Sequence, residues 1–184
     1  IPDVIICEPE IHGDSRGYFV ETFREDKLAA FLGFNLKFVQ DNESKGEKGV
    51  LRGLHYQLPP YAQSKLVRVI DGAVLDVAVD IRKGSPTFGE YVAVTLTSEN
   101  KRQLLVPRGF AHGFVVLSET AIFAYKVDNY YSQECDRGIA FDSKEIGIDW
   151  EIDRSNLKLS NKDMGSLCFS KATELFDIKD SLYD

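Results

Sequence analysis

An arginine, a histidine and a glutamine share the run LRGLHYQ, Leu51 to Gln57, whose apolar frame reads as a buried strand. Polar side chains on such a strand need partners or a purpose, because burying them unpaired costs free energy. An imidazole can accept a proton at physiological pH, which makes His55 the candidate general base. A carboxylate on its second ring nitrogen would set the tautomer and stabilise the imidazolium; Asp76 is one candidate on residue type alone. Lys65 is the candidate to stabilise a developing oxyanion, since a fixed ammonium gains most where water is excluded.

Short β-rich runs separated by turn residues must position these groups. They cover 18–23, 37–42, 50–57, 65–70, 73–82, 91–97, 103–106, 113–117 and 121–131. Many short strands predict a sandwich or barrel. The clearest alternation is GAVLDVAVDIR, with Ala73, Leu75, Val77, Val79 and Ile81 on one face and Asp76, Asp80 and Arg82 on the other, so one greasy and one charged side are expected. Glu25 to Leu32 predicts a helix: acids open it, Leu28, Phe31 and Leu32 share a face, and Gly33 ends it. A second helix is expected over 171–176.

With 184 residues, 43% of them hydrophobic, one domain with a sizeable core is expected. Its anticipated parts are N-terminal strands and a helix over 1–45, a β core over 46–131 and C-terminal decoration over 132–184. The net charge of −7 disfavours a nucleic-acid or anionic-membrane partner, both of which require a basic face. No apolar run approaches the ~20 residues of a membrane span and no secretory leader pattern opens the chain, so a cytoplasmic location is expected. Cys7, Cys135 and Cys168 are widely spaced without a CxxC pair and read as ordinary thiols.

The spacing of these polar residues resembles the two motifs of the cupin superfamily. Gly49 stands six before His55, Lys65 stands seven before Gly72, and Pro107, Gly109 and His112 follow the second motif. The metal set is altered: Gln57 replaces a histidine, Lys65 a glutamate and Val116 an asparagine. An ammonium has no lone pair for a cation, so no metal is expected. Arg52, Lys65, Arg68 and His112 would instead serve an anion or enolate.

More closely, the chain resembles the dTDP-4-dehydrorhamnose 3,5-epimerase family through GDSRGYFVE, FVQDN, VLRGLHYQ, KLVRVIDGAVLDVAVDIRKGSPTFG, ENKRQLLVPRGFAHGF, YKVDNYYS, IGIDW and LSNKD. The resemblance implies a mainly β, cupin-type antiparallel jelly roll with a few short helices. It implies cofactor-independent inversion at two carbons flanking a C4 ketone, whose adjacent protons are acidic because the carbanion delocalises as an enolate. His55 would be the base, Asp163 of LSNKD its orienting carboxylate and Tyr125 the acid from the opposite face, with Lys65 at O4. Contacts to a dTDP-sugar are implied for Arg16, Glu21, Gln40, Asn42, Arg52, His112, Tyr131, Asp136 and Lys162, although Asp136 stands where relatives often carry glutamate. A homodimer is also implied, with the segment 1–9 crossing to complete the partner's site. The alternatives are a C3-only epimerase, an epimerase of another nucleotide-linked 4-keto sugar, a noncatalytic sugar-nucleotide binding cupin and a metal-dependent cupin.

Overall fold

The computed structural model describes residues 1–183. Its strands are β1 (Ile5–Cys7), β2 (Ile11–Asp14), β3 (Gly17–Val20), β4 (Gln40–Glu47), β5 (Leu51–Gln57), β6 (Lys65–Asp71), β7 (Ala73–Asp80), β8 (Arg82–Lys83), β9 (Tyr91–Thr97), β10 (Gln103–Val106), β11 (Phe110–Val116), β12 (Thr120–Val127), β13 (Asp136–Gly138) and β14 (Phe176–Asp177). Helix α1 covers Glu25–Leu32 and α2 covers Asn161–Met164. Two antiparallel five-stranded sheets, ordered β1-β10-β6-β12-β4 and β13-β5-β11-β7-β9, face each other as the expected cupin-type sandwich.

Three apolar clusters hold it together. Between the sheets lie Val67, Val69, Val74, Leu96, Leu104, Phe114 and Phe123. On the outer face of the second sheet, Leu54, Tyr56, Leu75, Val77 and Val79 are covered by Ile139, Phe141, Ile146, Trp150 and Phe176 from the C-terminal segment. Under α1, Leu28 and Leu32 pack with Leu36, Leu66 and Leu105 on the outer face of the first sheet. Burial on this scale is the main stabilising contribution.

The expected greasy-and-charged division of β7 is corrected by this layering. Both faces of β7 are buried, because the C-terminal segment covers one and the opposing sheet covers the other. Asp76 and Asp80 have no solvent exposure and persist there only by pairing. Asp80 accepts from Arg82, Ser85 and Thr87. Its burial alone would raise the carboxyl, but these donors hold it down at about 2.

The helix expected over 171–176 is absent. A short 3-10 turn at Phe169–Lys171 gives way to extended chain, and β14 pairs in parallel with β8 so that Phe176 reaches the core. The strand expected over 37–42 instead covers β4, polar in sequence, whose residues alternate in burial as they pair with β12. Strand β12 stops at Val127 rather than Tyr131, where Asp128 turns to accept from the Ser64 backbone and the Arg108 side chain. Strand β1, expected to cross to a partner, pairs with β10 of its own chain. The three cysteines are free thiols. Among the described residues no helix is long and apolar enough to cross a membrane.

Candidate active site

The inner face of β5 carries His55 and Gln57, and its neighbour β11 carries His112 directly opposite His55 in register. Gly53 permits this approach. Its φ is +128°, and a Cβ there would lie 2.5 Å from the Gly113 Cα and 2.8 Å from the His112 carbonyl oxygen. Any side chain would push the two strands apart.

His55 Nε2 lies 2.6 Å from Asp163 Oδ1. The sequence SNKD builds the carboxylate's seat: Ser160 caps α2, accepting from the Asp163 backbone N–H and donating its hydroxyl to Asp163 Oδ2 at 2.6 Å. Burial alone would raise the Asp163 carboxyl, but the hydrogen bonds from His55 and Ser160 outweigh it and the net shift is downward. An ionised carboxylate only accepts, so in the neutral imidazole the Nε2 proton points to Asp163 and Nδ1 keeps the lone pair. Asp76 is taken by the other imidazole, with both carboxylate oxygens 2.9–3.0 Å from His112 Nε2. That resolves the choice between Asp163 and Asp76 as the neighbour of His55. Burial lowers the His112 pKa, and Asp76 opposes the fall.

The first sheet faces this pair with Lys65, Tyr125, Asn42 and Gln40, brought together because Tyr125 pairs with Asn42, and Val127 with both Gln40 and Lys65. Together with His55, Tyr131, Asp136 and Lys162 they line a cavity of about 380 Å³. Desolvation pulls the Lys65 ammonium down to about 8, against the upward pull of Asp76 and Asp136. Burial raises the Tyr125 phenol, opposed by Arg52, so it stays protonated at neutral pH. At the mouth, Asp136 accepts from Tyr131 Oη at 3.1 Å and pairs with the Lys162 ammonium. Gln40 Nε2 donates to Asn42 Oδ1 at 2.8 Å.

Other expected residues lie elsewhere within one chain. Arg16 sits at the tip of the exposed β2–β3 hairpin and binds Asp14. Glu21 accepts from Lys27 and lines a separate cavity beside α1. Arg68, grouped with the anion site on spacing, projects from the outer face of the first sheet into another cavity, because Lys65 and Val67 take the inner positions of β6. Arg52 is exposed. Gln57 and Gln63 line the cavity without having been expected there. The period-two spacing from His55 to Gln57 was the available signal for the first. Gln57 donates to the carbonyls of Tyr61 and Tyr130 and accepts from the Ser132 N–H, holding the loop that carries Tyr131. Among the described residues no three His, Cys, Asp or Glu side chains are gathered as a metal cradle.

The sequence profile of the dTDP-4-dehydrorhamnose 3,5-epimerase family matches residues 1–171. The chain belongs to this family. It is 56% identical over 172 residues to the dTDP-4-dehydrorhamnose 3,5-epimerase of Shigella flexneri, covering 94% of each chain. Against the Escherichia coli K12 enzyme of the same name it is 53% identical, covering 89% of this chain and 88% of that one. The structure of the Legionella pneumophila dTDP-6-deoxy-D-glucose-3,5-epimerase in complex with dTDP-4-keto-L-rhamnose superposes with a TM-score of 0.94 at 47% identity, covering 98% of this epimerase and 96% of that one. A 3′-monoepimerase from Streptomyces bikiniensis in complex with dTDP-quinovose shares the fold, with a TM-score of 0.85 at 31% identity over 91% of this chain and 84% of that one.

Proposed function

We propose that this epimerase inverts C3 and C5 of dTDP-4-dehydro-6-deoxy-D-glucose, giving dTDP-4-dehydro-β-L-rhamnose for dTDP-L-rhamnose synthesis. The observation that carries the reading is a base and an acid on opposite walls of one cavity, His55 on the second sheet and Tyr125 on the first, with a desolvated ammonium on the same wall as the acid. His55 Nδ1 removes the proton beside the C4 ketone, and Asp163 stabilises the imidazolium that forms. Lys65 balances the charge growing on O4. The Tyr125 phenol returns a proton from the other side, which inverts the centre. Gln40, Asn42, Arg52, His112, Tyr131, Asp136 and Lys162 hold the nucleotide sugar, with arginine and lysine suited to its diphosphate.

Arg16 and Glu21 fit the same reading in a homodimer, reaching the site of the partner subunit. The hairpin that carries Arg16 leaves Tyr18 61% and Phe19 67% exposed, an apolar surface that a partner subunit would cover. Three unpaired thiols suit the cytoplasm.

Proton NMR of the substrate in D2O tests the reaction. Loss of both the C3 and C5 signals with the wild type is the expected result; loss at C3 alone would make the protein a monoepimerase, and loss at neither would mean an epimerase of another nucleotide sugar or a binding protein. Tyr125→Phe is expected to slow net epimerisation by about 10² while the exchange started by His55 continues. Equal loss of exchange and product would remove Tyr125 from the acid role.

The pH profile follows from Lys65. Above about 8 the ammonium loses its proton and with it the charge that stabilises O4, so kcat/KM should fall there. Lys65→Arg, whose guanidinium stays charged, should lose that alkaline limb even where its rate is lower. A limb of unchanged position in Lys65→Arg would assign it to another group.

A further inference from the structure

Residues 172–183 lie beyond the span matched by the family profile, yet they are tied to the back of the active site. Tyr56 and Arg137 are register partners on β5 and β13. The Tyr56 ring joins the apolar cluster on the outer face of the second sheet, and both residues are held by Glu174. Tyr56 Oη donates to the Glu174 carbonyl oxygen at 2.9 Å. Arg137 donates from Nε and Nη2 to the two carboxylate oxygens of Glu174 at 2.7 and 2.9 Å, the bidentate arrangement that fixes a guanidinium in one plane.

The same guanidinium reaches the site backbone. Arg137 Nη1 donates to the carbonyl oxygens of Glu134 and Asp136, at 2.8 and 3.0 Å. Strand β13 is a three-residue edge strand, with only β5 beside it. Its ladder alone gives Asp136 little support. Glu174 is itself anchored, since Phe176 two residues on is buried with its ring against Tyr56 and β14 pairs with β8.

We propose that Glu174 is a positioning residue for substrate binding: through Arg137 it holds β13 so that Asp136 presents its carboxylate to Tyr131 and Lys162 at the cavity mouth. The proposal rests on the reading of Asp136 and Lys162 as substrate contacts. It predicts a change in KM and not in kcat, because His55, Asp163, Lys65 and Tyr125 are carried by other elements.

Steady-state kinetics with the dTDP-4-keto sugar, on the full chain, test it. Glu174→Gln loses the charge and one of the two strong acceptors, and is expected to raise KM about fivefold with kcat within about twofold of the wild type. The exchanged pair Glu174→Arg with Arg137→Glu is expected to bring KM back toward the wild-type value, which a general loss of stability would not do. Lys162→Met is measured alongside. If Lys162→Met raises KM and Glu174→Gln leaves it unchanged, the positioning role is overturned while the binding site stands. If Lys162→Met leaves KM unchanged, the binding reading beneath the proposal fails. If Glu174→Gln lowers the amount of folded enzyme, or kcat, at unchanged KM, Glu174 is structural only and the proposal is overturned.

Discussion

His55→Ala is expected to lower kcat for epimerisation by about 10³ to 10⁴, the range spanned by loss of a positioned general base. His55 lines the cavity, Nε2 is engaged by Asp163 at 2.6 Å, and Nδ1 is the nitrogen left to take a proton. Removing the imidazole also strips the Asp163 carboxylate of one hydrogen bond, which leaves it buried with Ser160 and weakens the fold locally. His55→Asn guards against that confusion, because its amide can still donate toward the carboxylate but cannot act as a base near neutrality. Both variants should be equally slow in solvent exchange at C3 and C5. Asp163→Asn should fall in the same direction by reversing the tautomer preference, and the double variant should be no slower than His55→Ala, since a base and its orienting group act as a unit. Undiminished exchange in either His55 variant would sink the assignment.

Lys65→Met carries the second large effect, a fall in kcat of about 10² to 10³, comparable with removal of one oxyanion donor. Methionine keeps the length and removes the charge. Stability should move the other way. The folded protein holds Lys65 at about 8, below an ordinary lysine, because burial disfavours the ammonium. Between that value and the unfolded one the unfolded chain binds more protons, so this group's contribution to stability rises with pH through that window; below about 8 the full penalty applies. Lys65→Met is therefore expected to melt at or above the wild-type temperature at pH 7 while losing activity. Thermal melts beside kinetics check both signs. A variant both active and less stable would show that Lys65 is a structural ion and not the O4 stabiliser.

Legibility of the fold and site varied by element, and for physical reasons. Helix α1 was readable because its signals are local: acids at the start, an apolar face and Gly33 in the left-handed conformation at its end. Strand β5 was readable as a buried strand carrying His55 and Gln57. Strand β4 was not readable from QDNESKGE, a polar run that becomes a strand through pairing with β12 and through facing the cavity. The expected helix over 171–176 failed because burying Phe176 outweighs a weak helical preference.

The polar residues are a similar case. Sequence supplied His55, Lys65 and the metal-poor substitution pattern, and the family motifs supplied Asp163 and Tyr125. Which carboxylate serves which imidazole was decided by tertiary structure, since Asp76 and Asp163 are equally plausible by type and are separated only by the register of β7 on β11 and the cap of α2. So too was the separation of Arg68 from Lys65: a strand turns successive side chains to opposite faces, and only pairing decides which face looks inward. The double burial of β7 depended on a C-terminal segment more than 50 residues downstream folding back over it. Local periodicity thus determined the elements and the chemistry on offer. Long-range packing decided which groups meet, because contacts between distant parts of a chain leave no periodic trace in either part.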